Sequence, residues 1–221
     1  MPPPRILIVT AVTAERDAVL AGLERGDGAD GVEVLAAGVG PAAAAAATAT
    51  ALTSAASREV PFCLVVSAGI AGGFGQPLGG AVVATSIVAA DLGADTPDGF
   101  ASVADLGFGN AEHRPPPALV RAVAQAADAA QGPVLTVSTV TGTDARAREL
   151  ATRHPGAVAE AMEGFGVAEA AAAHGVPALE LRTVSNAVGP RDRAAWRIPE
   201  ALAALGTGCA AMLPVLRAWE P

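Results

Sequence analysis

The stretch FCLVVSAGIAGG, from Phe62 to Gly73, joins an apolar run to three closely spaced glycines. Residues 62–67 predict a strand that is buried on both faces, as in a parallel sheet. Residues 68–73 are predicted to break that strand as a turn. Glycine also lets the backbone approach a ligand closely, and open α/β sheets bind small molecules at the carboxyl ends of their strands. The glycine segment is therefore either a tight turn or part of a binding site.

The same alternation extends along the chain in both directions. The predicted strands are 5–10, 32–37, 62–67, 81–89, 134–138, 157–160 and 178–184, and the predicted helices are 15–25, 41–50, 118–130, 144–153, 164–174 and 199–219. Residues 91–117 are rich in Gly, Pro and Asp and predict an ordered loop with at most one short strand. Strands alternating with helices indicate an α/β fold of one domain, residues 1–221, with a largely parallel sheet covered on both faces.

Composition and charge limit the possible partners. Of the 221 residues, 52% are hydrophobic and 16% charged, which is enough for a sizeable core. Much of the apolar content is alanine, and no run of large apolar side chains reaches the roughly 20 residues of a membrane span. A net charge of −8 with 3% aromatic residues argues against a nucleic-acid polymer. With no signal-peptide pattern at the first residues, we expect a cytoplasmic protein with no membrane partner.

Several common site motifs are missing or incomplete. Cys63 and Cys209 stand alone, which predicts reduced structural cysteines. The three histidines share no spacing suited to a metal site or a catalytic triad. Gly38-Val39-Gly40 lacks the third glycine and the acidic residue of a dinucleotide site, and the chain has no lysine for a phosphate-binding loop. We therefore predict neither a metal nor a cofactor.

Two carboxylates stand at predicted strand ends. Glu15 follows the first strand, and Glu163 lies in the segment AMEG between a strand and a helix. The helix dipole favours an acid at the start of a helix, so each residue can have a structural role. Each can also be a catalytic group, because ligands bind at this edge of such a sheet.

The last predicted strand carries two polar side chains, in the segment LRTVSN from Leu181 to Asn186. Arg182 lies inside an apolar run, and an unpaired buried charge is expensive. A partner carboxylate or a ligand is therefore expected beside it. Asn186 offers a donor and an acceptor from one planar amide, which suits the edge of a heterocyclic base.

In order and spacing, these segments resemble the purine nucleoside phosphorylase and nucleosidase superfamily over nearly the whole chain. The resemblance rests on the first strand with Thr13-Ala14-Glu15, Gly-Val-Gly before an alanine-rich helix, the glycine segment, Met162-Glu163-Gly164 and residues 182–186. Two further segments, DLGADTPDGF at 91–100 and NAVGPRDR at 186–193, are similar to its futalosine hydrolase branch. The resemblance implies a single-domain, three-layer α/β fold of the nucleoside phosphorylase type, with a mixed, largely parallel central sheet flanked by helices.

The implied reaction is hydrolysis of the N-glycosidic bond of futalosine, which gives hypoxanthine and dehypoxanthine futalosine on a route to menaquinone. Such a cleavage passes through an oxocarbenium-like sugar. Glu15 matches the family's general base that activates water. Glu163 matches the acid that binds the ribose hydroxyls and stabilises the developing positive charge. Arg182 matches the arginine that orients this arrangement, and it completes the candidate catalytic set with Asn186.

Asn186 marks a departure from the adenine-releasing nucleosidases of the superfamily, which carry an aspartic acid there to protonate N7 of the base. An amide is no general acid, but it can donate to N7 and suits a 6-oxo group. The resemblance therefore favours hypoxanthine over adenine, since a mismatched base leaves buried polar groups unpaired. We expect the base near Thr139, Val140 and Thr141.

The remaining expected contacts surround the sugar and its 5′ substituent. Ile70 replaces a serine that is frequent in relatives, which leaves backbone groups at Ile70 and Gly72. Met162 is expected beside the sugar with its neighbour Glu163. Arg191 and Arg193 are expected to bind the 5′ carboxylate, a bidentate task that arginine suits, or else to be solvated and paired with nearby acids.

Aromatic side chains are expected at the 5′ end of the substrate. The candidates are Trp196, Phe100 and Phe108, from this subunit or from a neighbour. Relatives commonly build the site at a dimer interface, which implies a homodimer or a higher homo-oligomer with a small-molecule nucleoside as substrate.

Three other functions stay open at this point: a 6-oxopurine nucleoside phosphorylase, a methylthioadenosine or adenosylhomocysteine nucleosidase, and a silent purine-binding domain. A carboxylate at Glu15 would repel phosphate, and the loop from Thr10 to Ala14 has no arginine to bind it. The presence of Glu15, Glu163 and Arg182 together argues against loss of catalysis.

Overall fold

A mixed β-sheet forms the centre of the protein in the computed structural model, which describes residues 4–26 and 28–220. The main strands are β1 (Ile6–Thr10), β2 (Val32–Ala36), β3 (Leu64–Gly73), β4 (Ala81–Ala89), β8 (Ala130–Thr136), β9 (Ala159–Ala161) and β10 (Ala178–Ala187), with three short strands β5 (Gly93–Thr96), β6 (Gly99–Ser102) and β7 (Glu112–His113). The helices are α1 (Thr13–Arg25), α2 (Pro41–Ser57), α3 (Pro117–Ala126), α4 (Asp144–Arg153), α5 (Gly164–Ala173) and α6 (Ile198–Ala218), with a 3-10 turn at Arg193–Ala195.

The sheet partly closes on itself. Its order is β10-β4-β8-β9-β3-β1-β2, and β10 also pairs with β3, so that β3, β10, β4, β8 and β9 form a barrel-like ring. The pairs β1–β2, β1–β3, β3–β10, β4–β8 and β8–β9 are parallel, whereas β4–β10 and β3–β9 are antiparallel. The single-domain α/β fold with a mixed, largely parallel sheet and flanking helices is therefore confirmed.

Alternating side chains of β1 enter two different hydrophobic clusters. Ile6 and Ile8 pack with residues of α1, α3 and α6, whereas Leu7 and Val9 pack with residues of α2 and α5. Since successive side chains of a strand point to opposite faces, a continuous apolar run is what a sheet covered on both faces requires.

Helix α6 is the helix of the described residues that is long and apolar enough to be compared with a membrane span. Its 21 residues include a window of mean hydropathy 1.5, so its length and composition do suit a membrane span. The hydropathy comes largely from Ala and Leu, with few charged residues to interrupt it. Buried residues of α6, including Leu205, Cys209 and Met212, belong to the same cluster as Ile6 and Ile8. A buried core helix can be as long and as apolar as a membrane-spanning helix, so these two properties alone do not assign α6 to a membrane.

The structure differs from the predicted elements most at the glycine segment. Strand β3 continues without a turn to Gly73, because its second half pairs with β10 and with β9. Residues 91–117 contain three short strands, of which β5 and β6 form a hairpin around Gly99 at φ 112°. Helix α2 continues to Ser57, and β10 continues to Ala187. Most other ends shift by a few residues.

Candidate active site

The predicted catalytic side chains gather around one cavity at the carboxyl ends of β1, β3, β9 and β10. The cavity holds about 230 Å³ and is lined by Glu15, Ile70, Glu160, Met162, Glu163 and Asn186, among others. An adjoining cavity of about 80 Å³ shares Gly72, Val140, Glu160, Asn186 and Trp196 and adds Thr141 and Arg191. A larger concavity of about 630 Å³ lies between β2 and α2, but alanines make up much of its wall and none of the predicted site residues line it.

Glu15 stands in the first turn of α1 and is 3% exposed. Its Oε2 accepts hydrogen bonds from the backbone N–H of Ala11 (2.9 Å) and Val12 (3.3 Å), and its Oε1 accepts from Ile70 N (2.8 Å). The carboxylate therefore stabilises the start of α1, as expected for an acid in the first turn of a helix, and it also faces the cavity. These three donors fix its position relative to β3.

Glu163 precedes α5 but does not cap it, since its side chain makes no hydrogen bond to that helix. Its Oε1 accepts from Gly40 N (3.2 Å), and its Oε2 lies 3.2 Å from Nη1 of Arg182. Gly40 has a φ of 93°, a conformation that favours glycine, and it starts α2. The Gly-Val-Gly segment thus helps to hold the Glu163 carboxylate.

Arg182 has the buried partners that the sequence predicts. It is 1% exposed, its Nε donates to Oε1 of Glu180 (2.8 Å) and its Nη2 donates to Oγ of Ser67 (3.0 Å). Burial disfavours the guanidinium charge, but the carboxylates of Glu180, Glu163 and Glu15 outweigh it and raise the pKa of Arg182. The arginine does not line the cavity itself and contacts Glu163, which does.

Glu180 is a fully buried carboxylate that the sequence analysis overlooks. Burial raises its pKa, although Arg182 opposes the shift. Its Oε2 has no hydrogen-bond partner. A Cβ at Gly164 would lie 2.3 Å from Oε1 of Glu180, so the glycine after Glu163 leaves the space that this carboxylate occupies. Its position two residues before Arg182, on the same face of the strand, is the signal that could have identified it.

The glycines of β3 also make room for functional side chains. A Cβ at Gly69 would lie 2.6 Å from Nη1 of Arg182 and 2.6 Å from Oε1 of Glu15. A Cβ at Gly72 would lie 3.3 Å from Nδ2 of Asn186. The binding-site interpretation of this segment therefore agrees with its surroundings, whereas the turn does not form.

Asn186 faces the cavities from an irregular part of β10. The register with β3 shifts between Val184 and Asn186, and such bulges redirect side chains beside active sites. Its Oδ1 accepts from Oγ of Ser185 (2.8 Å), and its Nδ2 donates to the carbonyl of Ala187 (2.9 Å). These contacts orient the amide.

The other predicted residues divide into two groups. Those that line the cavities are Ile70, Gly72, Val140, Thr141, Met162, Arg191 and Trp196. Those that do not are Thr139, Arg193, Phe100 and Phe108. The guanidinium carbons of Arg191 and Arg193 lie 5.7 and 5.9 Å from the centroid of the Trp196 ring. Neither arginine forms an ion pair with a carboxylate among the described residues.

Phe100 does not reach the site of its own chain. Its ring lies 4.1 Å from the guanidinium carbon of Arg153 and lines a separate cavity with His154. Phe108 follows the β5–β6 hairpin and is 83% exposed. Both residues lie on the segment 91–117 and outside the lining of the two cavities.

The part of the chain that the structure describes contains no group of three His, Cys, Asp or Glu side chains that could hold a metal. Both cysteines are free, and burial raises the pKa of Cys209 to about 12. The cavity is lined by two separately held carboxylates, Glu15 and Glu163, by the amide of Asn186 and by a third buried acid, Glu160.

The fold is that of the nucleoside phosphorylase class. The phosphorylase superfamily matches residues 23–213. In structure, the chain is similar to a methylthioadenosine/adenosylhomocysteine nucleosidase of Colwellia psychrerythraea (TM-score 0.81, 21% identity, 99% of this chain and 98% of the other). It is also similar to a futalosine hydrolase of Helicobacter pylori (TM-score 0.78, 17% identity, 96% and 98%). At these identities the likeness concerns the fold.

Sequence relatives narrow the assignment. A futalosine hydrolase of Streptomyces coelicolor is 61% identical over 98% of both chains. Another futalosine hydrolase, of Acidothermus cellulolyticus, is 49% identical over 93% of this chain and 89% of its own. The chain belongs to the phosphorylase superfamily and, within it, to the futalosine hydrolase family.

Proposed function

We propose that this chain hydrolyses the N-glycosidic bond of futalosine and releases hypoxanthine and dehypoxanthine futalosine. The observation that carries the proposal is the pair Glu15 and Glu163, which face one cavity and are held by different backbone donors. The identity to relatives named futalosine hydrolase supports the substrate.

Glu15 is suited to be the general base. The carboxylate lines the cavity and can accept a proton from a water there while the water attacks the anomeric carbon. Its contacts to Ala11, Val12 and Ile70 use backbone donors that stay in place during the reaction. A base fixed in this way loses little orientation when the substrate binds.

Glu163 is suited to stabilise the sugar. A cleavage with an oxocarbenium-like transition state gains from a negative charge near the ribose, and a carboxylate also accepts hydrogen bonds from ribose hydroxyls. Gly40 N and Arg182 hold this carboxylate from the protein side. Met162 lines the same cavity beside it.

Asn186 is suited to bind the leaving base. Its amide can donate to N7 and can accommodate a 6-oxopurine, and Trp196, which lines both cavities, can contact the ring. Val140 and Thr141 line the adjoining cavity, where we expect the base edge. Arg191 lines the adjoining cavity and is suited to bind the 5′ carboxylate, and Arg193 also lies near the Trp196 ring.

Water is favoured over phosphate as the attacking group. The lining of the cavity of about 230 Å³ contains three carboxylates and no arginine or lysine, and a phosphate dianion would be repelled there. Phosphate-binding sites in proteins typically present arginine or backbone N–H groups, and here the N–H groups of Ala11, Val12 and Ile70 are bonded to Glu15.

We place this reaction in the cytoplasm, on a route to menaquinone, and propose that the enzyme works as a homodimer or higher homo-oligomer. The exposed Phe108 fits an assembly in which a neighbouring subunit covers the 5′ end of the substrate. Phe100 contributes only from such a neighbour, because Arg153 stacks on it within its own chain.

The test is chromatography of products after incubation with futalosine, inosine and methylthioadenosine, each with and without phosphate. We expect hypoxanthine from futalosine at a rate independent of phosphate, and little adenine from methylthioadenosine. Sugar 1-phosphate in proportion to phosphate would show a phosphorylase instead. Faster release of adenine than of hypoxanthine would show an adenine-specific nucleosidase.

A further inference from the structure

Glu180 is a buried carboxylate beside the site that the proposed reaction does not use. It is 0% exposed and lines neither cavity, yet its Oε1 accepts a hydrogen bond from Nε of Arg182. Its Oε2 has no hydrogen-bond partner among the described residues. A buried, incompletely paired carboxylate is costly, and Arg182 already has a carboxylate partner in Glu163. Stability therefore does not explain why β10 carries a second acid at this position.

The sheet register places Glu180 and Arg182 on one face of β10. Glu180 pairs with Ser67 of β3 and Arg182 pairs with Gly69, so the four residues are neighbours on that face. Leu181, between the two charged residues, belongs to the hydrophobic cluster on the opposite face. Strand geometry alone thus aligns the acid with the guanidinium.

The guanidinium of Arg182 is divided among three side chains. Nε donates to Glu180 at 2.8 Å, Nη2 donates to Ser67 at 3.0 Å, and Nη1 donates to Glu163 at 3.2 Å. The contact to Glu163 is the longest of the three. It is a single hydrogen bond, whereas an arginine and a carboxylate can form two parallel ones. Glu163 therefore receives only part of what this guanidinium can offer.

The charge of Arg182 is divided in the same way. Burial disfavours that charge, and among the carboxylates that oppose this effect Glu180 raises the pKa of Arg182 most, ahead of Glu163 and Glu15. The strongest partner of the guanidinium is thus an acid outside the cavity lining. A guanidinium whose charge is offset by Glu180 neutralises Glu163 less.

We propose that Glu180 is a positioning residue that holds Arg182 and offsets its charge, so that Glu163 keeps the negative charge that stabilises a cationic sugar. The inference rests on the proposed function and deepens it. Without the charge of Glu180, Arg182 would neutralise Glu163 more completely. The loss would fall on the transition state, because the nucleoside in the ground state carries no charge on the sugar.

The first test compares the kinetics of E180Q with those of the wild type. Glutamine has nearly the same shape and its carbonyl oxygen can still accept from Nε of Arg182, but it carries no charge. Because Glu180 acts through Arg182, we expect kcat on futalosine to fall about 10-fold, less than the loss expected when Glu163 itself is changed. KM should change by less than about 3-fold, since an interaction made only in the transition state leaves substrate binding intact.

A matched pair of ligands isolates the charge on the sugar. Both are carbon-linked inosine analogues that cannot be cleaved: one keeps the ring oxygen of the ribose, and the other has a protonated nitrogen in its place. Calorimetry gives the ratio of their affinities. We expect E180Q to lower the preference for the cationic analogue about 10-fold and to leave binding of the neutral analogue nearly unchanged.

Two control variants separate this role from simple support and from overall charge. S67A removes the hydrogen bond from Nη2 of Arg182 but no charge, and E24Q removes one negative charge at an exposed position of α1. We expect both variants to retain the affinity ratio. Three results would overturn the proposal: wild-type kcat and affinity ratio in E180Q, equal weakening of both analogues in E180Q, or a loss of the ratio in either control as large as in E180Q.

E180V is the second variant, should E180Q fail to fold, because an apolar side chain often replaces a buried charge with little loss of stability. It also removes the charge, so we expect the same fall in the affinity ratio, and a retained ratio would overturn the proposal. Failure of the wild type to cleave futalosine would refute the proposed function instead. The two analogues lack the 5′ substituent of futalosine, so their affinities would still report on Glu180.

Discussion

The substitution of Gly69 by alanine tests whether this glycine of β3 is needed to make room for Glu15 and Arg182. The added Cβ would lie 2.6 Å from Nη1 of Arg182 and 2.6 Å from Oε1 of Glu15. Ordinary contacts begin at 3.4 Å, so the two charged groups must retreat by about 0.8 Å. Neither can move freely, because Glu15 has three backbone donors and Arg182 is bonded to three side chains.

The expected effects follow from this displacement. Overpacking a buried site costs about 1–3 kcal/mol of unfolding free energy. For a chain of this length, each kcal/mol lowers Tm by about 2–4 °C. Catalysis should suffer more than stability, since a misplacement of about 1 Å can reduce turnover about 100-fold. We therefore expect a folded enzyme with a modestly lower Tm and a kcat on futalosine reduced about 100-fold.

Steady-state kinetics and thermal unfolding of G69A measure both effects. G142A is the matched control, because a Cβ at Gly142 meets nothing within 4 Å and its backbone is outside the left-handed region. We expect G142A to keep the wild-type Tm within about 2 °C. A G69A enzyme with wild-type kcat would show that Glu15 and Arg182 do not need their present positions, and the reasoning from the glycine contacts would then be refuted.

Three further outcomes are expected. E163Q should lose at least about 100-fold in kcat, because the amide carries no charge; unchanged turnover would contradict the proposed role of Glu163. G164A should destabilise the fold by about 1–3 kcal/mol, and the double variant G164A/E180V should recover part of that loss in urea unfolding, unlike two independent sites. Burial, followed by the charge of Arg153, lowers the pKa of His154 in the folded chain below its ordinary value of 6.5. Below about pH 6.5 the unfolded chain therefore binds a proton at His154 that the folded chain does not, and the unfolding free energy of the wild type falls as the pH falls. In urea unfolding at several pH values, H154L should show a weaker dependence of the unfolding free energy on pH, and an unchanged dependence would show that His154 is not responsible.

The strand and helix pattern could be predicted because local signals and tertiary structure agree over most of the chain. The continuous apolar run of β1 predicts burial on both faces, and the structure shows both faces covered. Helix α4 begins at Asp144 and ends at Arg153 as predicted, since Thr143 caps it and accepts a hydrogen bond from the Arg146 N–H. At such positions sequence and environment favour the same structure.

The glycine segment could not be assigned from the sequence because its local preference conflicts with its surroundings. Glycine weakens a strand, so residues 68–73 indicate a turn when taken alone. In the structure, β10 and β9 pair with this half of β3, and their hydrogen bonds keep it extended. The need for glycine arises from Glu15, Arg182 and Asn186, which come from distant parts of the chain.

Glu160 and Glu180 show a second limit of prediction from sequence. Each lies in a short apolar segment, where an acid has no local explanation, and the charge rule that identifies Arg182 applies to both. The partner of Glu180 lies two residues along the same strand, whereas the partner of Glu160 lies 19 residues away in a loop. Only the partner of Glu180 can be predicted from the spacing of residues along the sequence.

The charge arrangement explains why so many acids can share one small site. Arg182 donates hydrogen bonds to Glu180 and Glu163. The charge of the nearby Glu15 carboxylate also raises the pKa of Arg182, so one guanidinium offsets three carboxylates. The site therefore carries more negative than positive charge, and burying a carboxylate without a full counter-charge costs free energy. The shortage suits a reaction that develops positive charge on a sugar, because the carboxylates gain a partner in the transition state that the ground state lacks. A cationic transition-state analogue should therefore bind much more tightly than the neutral nucleoside.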